Sequence, residues 1–335
     1  MSATASVLYD NHGRPLEYVR LAVTDRCNLR CFYCMPEQGI DYVPRQALLS
    51  YEELERVVRI LARLGVHKVR LTGGEPFVRR GLLPFIGRLR LIEGITDIGL
   101  TTNGVLTAPH VPELVRLGIR SVNLSLDTLD RERFARITRR DELPAVMATF
   151  EALVAADIQV KINAVVMDGQ NTEDIIPLAE LTRELPVEVR FIEEMPFNGG
   201  SHAAMDLPWS HVRIREHLAQ HFPGMLPVAT APGATASEYS IPGHAGRVGI
   251  IAAYSRTFCG TCNRIRLTAE GGLKTCLYDQ GVLDVRALLR GGATDEEIST
   301  ALTTAFRYRA ANGFEAEQQR PLHQLSFESM STIGG

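Results

Sequence analysis

Cys27, Cys31 and Cys34 are separated by three and then two residues, Cys259, Cys262 and Cys276 by two and then thirteen, and the chain has no other cysteine. With 6 cysteines in 335 residues, a given cysteine meets two more at fixed offsets by chance about 3 times in 10,000, so incidental buried thiols explain the triplets poorly. Thiolates on a short loop can turn onto one metal centre, and zinc or an iron-sulfur cluster are the centres such donors favour. At the first triplet zinc would want a fourth protein ligand, yet no histidine lies between His12 and His67. A cluster held by three cysteines, with one iron open to a small molecule, fits better. At the second triplet His244 or Asp279 could complete a structural zinc site, so zinc is a stronger reading there, and chemistry alone leaves the choice open.

Further polar residues recur where a buried parallel sheet should be apolar. Asn123, Ser125 and Asp127 alternate with Val122, Leu124 and Leu126, while Gln159, Lys161 and Asn163 alternate with Val160, Ile162 and Ala164, giving each segment one polar face. Turned into a barrel, those faces would form a wet binding site; on an edge strand they would merely meet solvent. Thr72-Gly73-Gly74-Glu75-Pro76, Thr101-Thr102-Asn103-Gly104, and Arg190 with Glu193, Glu194 and Met195 end expected strands, on the side where such folds bind ligands. Gly73 and Gly74 would let the backbone approach a ligand closely. Arg20, Arg70, Lys161 and Arg190 are cations at or inside strands, which suits a phosphorylated substrate.

The elements that must position these residues follow from periodicity. Six β-branched runs, at Tyr18–Val23, Val66–Leu71, Ile95–Thr101, Ile119–Leu126, Ile158–Val166 and Val187–Ile192, read as strands. Helical patterns separate them: Ser50 and Glu53 form a capping box before Leu54, Val57, Val58 and Leu61, and others lie near Leu82–Leu91, Pro109–Leu117, Leu143–Ala156 and Thr172–Leu185. Right-handed crossovers then require a parallel sheet with helices outside, an α/β fold of the partial (β/α)6 TIM-like barrel kind, with the first cysteine loop directly after the first strand. After Ile192 the rhythm stops, and a helix is expected only near Ser210–His221. The uncharged stretch His217–Ser237 reads as a linker or long loop because Pro223, Gly224, Pro227, Pro232 and Gly233 interrupt it. From about Arg247, two apolar stretches flank the second cysteine group, and Asp295, Glu296 and Glu297 mark a helix start. The expected organisation is a barrel over residues 1–200 and a C-terminal α+β domain over residues 201–335.

At 335 residues, 45% hydrophobic and 22% charged, the chain reads as ordinary globular protein of about two domains, which excludes disorder and fibrous repeats. A net charge of −3 supplies no global field for nucleic acid or an anionic membrane, so an anionic ligand must be held by local Arg and Lys. Met1 to Tyr9 lacks the basic start and apolar run of a secretory signal, so a cytoplasmic, reducing location is expected, with thiols rather than disulfides.

The first triplet, with aromatic Tyr33 before its third cysteine and Gly73-Gly74-Glu75-Pro76 after the second strand, resembles the radical S-adenosylmethionine superfamily. Thr24-Asp25-Arg26-Cys27-Asn28, Leu71 to Pro76, Thr101 to Gly104, Cys259-x2-Cys262-Asn263-Arg264-Ile265-Arg266, Cys276 and terminal Ile333-Gly334-Gly335 narrow this to the GTP 3',8-cyclase family of molybdenum cofactor biosynthesis. The resemblance runs from about Arg14 to Gly335. It implies two [4Fe-4S] clusters, on Cys27, Cys31 and Cys34 and on Cys259, Cys262 and Cys276, and so overrides zinc at the second triplet. It further implies that S-adenosylmethionine, split by one electron, yields a radical that removes the ribose C3' hydrogen of GTP, after which C3' attacks C8 of guanine. Tyr33, Gly74, Ser125 and Met195 would then contact S-adenosylmethionine. Arg20, Arg70, Thr101, Lys161, Arg190, Arg264 and Arg266 would contact GTP, with Arg264, Arg266, Lys161 and the Gly334-Gly335 tail closest to catalysis. Implied partners are an electron donor and the next enzyme, cyclic pyranopterin monophosphate synthase, and a homodimer is left open. The competing readings are a radical enzyme whose second cluster relays electrons, and a barrel carrying a zinc-ribbon binding module.

Overall fold

The β-branched runs become strands where their periodicity places them. The computed structural model describes residues 7–36, 39–195, 207–320 and 329–334. In chain order β1 (Tyr18–Ala22), α1 (Tyr51–Arg63), β2 (Lys68–Thr72), α2 (Leu82–Arg90), β3 (Asp97–Thr102), α3 (Val111–Arg116) and β4 (Ser121–Ser125) alternate one for one. Two helices, α4 (Arg131–Thr138) and α5 (Leu143–Ala155), precede β5 (Gln159–Val166), and α6 (Ile175–Glu180) precedes β6 (Glu188–Glu193). Then come α7 (His211–His221), β7 (Leu226–Val228), β8 (Ala236–Ser240), β9 (Arg247–Ile251), β10 (Arg264–Leu267), β11 (Gly272–Lys274) and β12 (Leu283–Asp284). Four helices end the chain: α8 (Val285–Arg290), α9 (Asp295–Arg307), α10 (Gly313–Gln318) and α11 (Met330–Ile333).

Contacts divide the chain into two units. One takes the described residues up to Asn28, Ile40–Leu100 and those from Cys262 onward; the other takes Leu29–Gly39 and Thr101–Thr261. In the first unit β10, β1, β2 and β3 are parallel neighbours, and β11 and β12 extend the β10 side antiparallel. The second repeats this plan: β4, β5, β6 and β9 are parallel neighbours, and β8 and β7 extend the β9 side antiparallel. The expected boundary near residue 200 lies outside the described residues.

The α1 capping box forms, with Ser50 and Glu53 each bonding the other's backbone N–H, and Leu54, Val57, Val58 and Leu61 are fully buried. Two expectations need correction. The stretch from His217 to Ser237 is not a linker: it holds the end of α7, all of β7 and the first part of β8, joined through a turn at Gly233 whose φ of 77° suits glycine. The helix expected over Thr172–Leu185 is a 3-10 turn at Thr172–Asp174 followed by six residues of α-helix. The sequence reading also missed α4, whose burial rests on Phe134 and Ile137 in an otherwise charged segment, started by an Asp130 side-chain cap.

Candidate active site

Residues paired across parallel strands share a face, so the register of the first unit brings its cations together. Arg20 on β1 lies level with Arg266 on β10 and with Arg70 on β2, and one step back Tyr18 is level with Arg264 and Lys68. Lys274 on β11 is level with Arg266, and Gly99 on β3 with Arg70. A Cβ at Gly99 would stand 2.8 Å from the Arg70 guanidinium, so glycine leaves room for that side chain to lie across β3. Arg70 is buried and donates to the Tyr18 hydroxyl at 3.0 Å and to the Leu100 carbonyl at 2.9 Å. Burial, then Arg266, Arg70 and Arg264, bring the Arg20 pKa down to about 9. Burial alone would raise Tyr18, but Arg70, Arg20, Arg264 and Lys68 outweigh it and pull the phenol down to about 8. This face therefore concentrates four arginines and two lysines around Tyr18.

The described part of the C-terminal tail meets the same face. Arg266 donates to the Gly334 carbonyl at 2.8 Å, and a Cβ at Gly334 would come within 2.9 Å of the Thr72 side chain and 3.3 Å of Ala22. Ser329, Ser331 and Ile333 are buried. Gly335 lies outside the described residues.

Gly73 and Gly74 do something the sequence did not reveal. A Cβ on Gly73 would stand 2.4 Å from the Thr24 carbonyl oxygen, and one on Gly74 2.3 Å from that of Arg26. The Gly74 and Glu75 amides donate to those two carbonyls at 2.8 Å each. The pair therefore packs the β2 end against the backbone leading into Cys27. Asp25 holds that loop from its other side by accepting from the Val43 amide at 3.0 Å.

Cys31 and Cys34, with Tyr33 between them, belong to the second unit. The Cys34 and Met35 amides donate to the Cys31 carbonyl, and the end of α4 supports the loop through Arg30 N–H to Thr138 and Phe32 N–H to Ile137. Arg139 adds bonds to the carbonyls of Arg30 and Met35. The Tyr33 hydroxyl donates to Asp127 at 2.8 Å, and Asp127 also accepts from the Val165 amide at 2.9 Å. Burial pushes Asp127 up to about 6, and burial with the Asp127 charge pushes Tyr33 well above the phenol range. Asp127 was expected only as part of a polar strand face; its role as an anchor for Tyr33 could not be read from sequence.

The second unit's polar face is formed by Asn123 level with Lys161, Ser125 with Asn163, Lys161 with Glu188, and Asn163 with Arg190. Because β5 is paired on both sides, the edge-strand reading fails for it. Glu188, which sequence reasoning missed, bridges Lys161 at 3.0 Å and Arg190 at 2.5 Å. Burial opposes its charge, but the two cations hold its carboxyl below the usual range, while burial and Arg190 lower Lys161. Thr101 Oγ1 and Asn163 Oδ1 are buried and bond no described residue, which is uncommon unless a ligand or water completes them. Met195 is half-buried just beyond β6.

Of the second triplet, Cys259 belongs to the second unit and Cys262 and Cys276 to the first. Burial would raise the Cys262 thiol, but Arg264 and Arg309 lower it, favouring the thiolate a metal centre needs. Arg309 also donates to the Cys262 carbonyl and is gripped by buried Asp10. Asp279, a candidate zinc ligand, instead accepts from the amides of Thr275, Cys276 and Gly281 and from the Thr275 hydroxyl, tying the Cys276 loop. His244 bonds the Thr182 hydroxyl at 2.8 Å in the second unit. All six cysteines are half-buried thiols, and three thiolates are the donor type an iron-sulfur cluster takes.

The Radical SAM superfamily matches residues 21–182, and the Molybdenum Cofactor Synthesis C family matches residues 187–314. A GTP 3',8-cyclase of Syntrophomonas wolfei is 42% identical over 325 residues, 95% of this chain and 99% of that one. That of Heliobacterium modesticaldum is 44% identical over 86% and 89%. Human molybdenum cofactor biosynthesis protein 1 is 39% identical over 88% of this chain, which spans 46% of the human protein. Among solved structures, Streptococcus suis SuiB bound to S-adenosylmethionine superposes with a TM-score of 0.58 over 93% of this chain and 68% of that one at 12% identity, which shows a shared fold. The fold is accordingly the partial barrel of that superfamily, and the chain belongs to the GTP 3',8-cyclase family of radical S-adenosylmethionine enzymes.

Proposed function

We propose that this chain closes C3' of GTP onto C8 of its guanine, the first step of molybdenum cofactor synthesis, and that the cationic face of Arg20, Arg70, Arg264 and Arg266 receives the nucleotide. The observation that carries the proposal is the register that sets Arg266, Arg20 and Arg70 side by side on three adjacent strands, at the cost of a depressed Arg20 pKa. Forked guanidinium groups match phosphate oxygens, and a triphosphate of roughly −4 charge would relieve their mutual repulsion. In the second unit Glu188 restrains Lys161 and Arg190, and the Thr101 hydroxyl is buried; the family resemblance implies GTP contacts for Lys161, Arg190 and Thr101.

Cys27, Cys31 and Cys34 would hold the cluster to which S-adenosylmethionine binds, and Cys259, Cys262 and Cys276 a second [4Fe-4S] cluster. A cluster held by these thiolates would supply the one-electron chemistry that cleaves S-adenosylmethionine beside the nucleotide. The protein's part is to position. Asp127 fixes the Tyr33 ring beside Cys34, Gly74 locks the approach to Cys27, and Arg266 holds Gly334 against the cationic face, while Ser125 and Met195 would border the cofactor. An external electron donor and a following enzyme that takes the cyclised nucleotide complete the reading. Anaerobically reconstituted protein given GTP, S-adenosylmethionine and dithionite should form 5'-deoxyadenosine and 3',8-cyclo-7,8-dihydro-GTP together. Formation of 5'-deoxyadenosine with GTP unconsumed would point to a different substrate.

A further inference from the structure

A second concentration of positive charge lies in the first unit, apart from the cationic face. A cavity of about 530 Å³ is lined by Arg26, Arg45, Arg79, Arg80 and Arg290, with Glu52 the lone acid in its wall. Thr24 and Arg26, from the backbone that runs directly into Cys27, form part of the same wall. In a chain of net charge −3, five guanidinium groups around one opening make a strongly positive local field.

The arginines fall into two sets. The inner ones organise the wall. Arg79 donates to the carbonyls of Val23 and Leu49 and lies over the Tyr51 ring at 4.1 Å, and Arg290 bonds the carbonyls of Gln46 and Leu48 and pairs with Glu53. Bonds to carbonyls hold the Arg79 guanidinium in place, and burial lowers its pKa despite the nearby Glu52 and Glu53. The outer ones, Arg45 and Arg80, are exposed, and their side chains make no hydrogen bond or ion pair with any described residue. Stability does not require two exposed cations beside three others; like charges so placed repel, and the arrangement is explained by an acidic partner that meets them. A compact free anion would need the inner guanidinium edges, which the carbonyls of Val23, Leu49, Gln46 and Leu48 already occupy.

We propose that this arginine-rimmed opening is the docking surface for a small acidic one-electron carrier protein. The inference rests on the proposed placement of the first cluster at Cys27, Cys31 and Cys34. The reduced carrier gives up one electron and is oxidised by one, the cluster gains it, and no atom is transferred. The wall residues Thr24 and Arg26 bring the carrier's acidic edge to the loop that ends at Cys27, and the outer arginines set its approach rate and salt dependence.

An acidic flavodoxin, reduced, serves as the probe. Reconstituted wild-type holoenzyme, the charge-reversed Arg45→Glu/Arg80→Glu variant and the neutral Arg45→Gln/Arg80→Gln variant are compared in flavodoxin binding and in 5'-deoxyadenosine formation. Expected are flavodoxin binding weakened at least tenfold by reversal and less by neutralisation, with flavodoxin-driven rates falling in the same order. Dithionite-driven rates should change less than twofold. Unchanged flavodoxin binding and rates in both variants overturn the proposal, as does an equal loss with dithionite, which would give the arginines a structural role. Tight stoichiometric binding of tripolyphosphate to wild type, abolished in both variants while flavodoxin-driven rates hold, overturns it in favour of a small-anion site. Loss of dithionite-driven activity in the wild type would count against the cluster placement itself, a separate failure.

Discussion

Replacing Arg266 with alanine should separate binding from folding. The guanidinium has two duties on one face: Nη1 donates to the Gly334 carbonyl at 2.8 Å, and its charge stands level with Arg20. A charge-assisted hydrogen bond is worth about 1.5–3 kcal/mol, so loss of the phosphate contact proposed for Arg266 should weaken GTP binding roughly 10- to 150-fold. The effect on the ligand-free protein runs the other way, because Arg266 is the largest charged contributor to the lowered Arg20 pKa and its removal relieves that repulsion. Stability without GTP should therefore stay within about 1 kcal/mol of wild type, while amide exchange at Ser331 to Ile333 rises as the tail loses its tether. Arg266→Lys should recover only part of the affinity, since an ammonium keeps the charge and loses the fork. Anaerobic calorimetric titration with GTP, paired with thermal unfolding, reads both quantities. Unchanged GTP affinity in Arg266→Ala, or a loss of affinity matched by collapse of the unfolding temperature, would refute the reasoning.

Three further outcomes follow from the geometry. Cys276→Ser should halve bound iron from about eight to about four per chain and depress GTP turnover more than uncoupled S-adenosylmethionine cleavage, as read by iron and product analysis. Gly74→Ala would force a Cβ against the Arg26 carbonyl, so iron bound at the first site should fall while the second site, assayed in a Cys27→Ala background, is retained. The two buried aspartates should oppose each other in pH dependence. Asp10, lowered to about 2 despite burial by bonds from Arg14 and Arg309, contributes about 2 kcal/mol of stability that is present above roughly pH 4 and lost as pH falls through 2. Asp127, raised to about 6 by burial, costs stability as pH rises from roughly 4 through 6. Thermal unfolding should thus show Asp10→Asn less stable than wild type at neutral pH, and Asp127→Asn more stable there with the difference vanishing below about pH 4.

Much of this architecture was legible in the chain because its signals are local. Six β-branched runs, the Ser50 and Glu53 capping box and the alternation of Arg264 with Arg266 act within a few residues, and the structure realises each of them. What escaped depends on partners far away in sequence. The Pro- and Gly-rich stretch becomes the strands β7 and β8 only because β9 offers an edge to pair with. Asp127 and Glu188 look like ordinary polar residues until Tyr33, Lys161 and Arg190 surround them. Gly73 and Gly74 suggested room for a ligand, whereas the close contact is with the backbone of Thr24 and Arg26, and no local pattern encodes that. Asp279 could pass for a metal ligand by residue type, but three amides of its own loop claim it.

The central claim is that this chain binds GTP so that a radical from S-adenosylmethionine reaches ribose C3'. GTP carrying deuterium at C3' tests it directly, in a single anaerobic turnover with S-adenosylmethionine and dithionite. The account predicts that the deuterium appears in 5'-deoxyadenosine in step with loss of GTP, and that label placed at C2' or C4' stays in the nucleotide. Unlabelled 5'-deoxyadenosine formed while C3'-labelled GTP is consumed would contradict it.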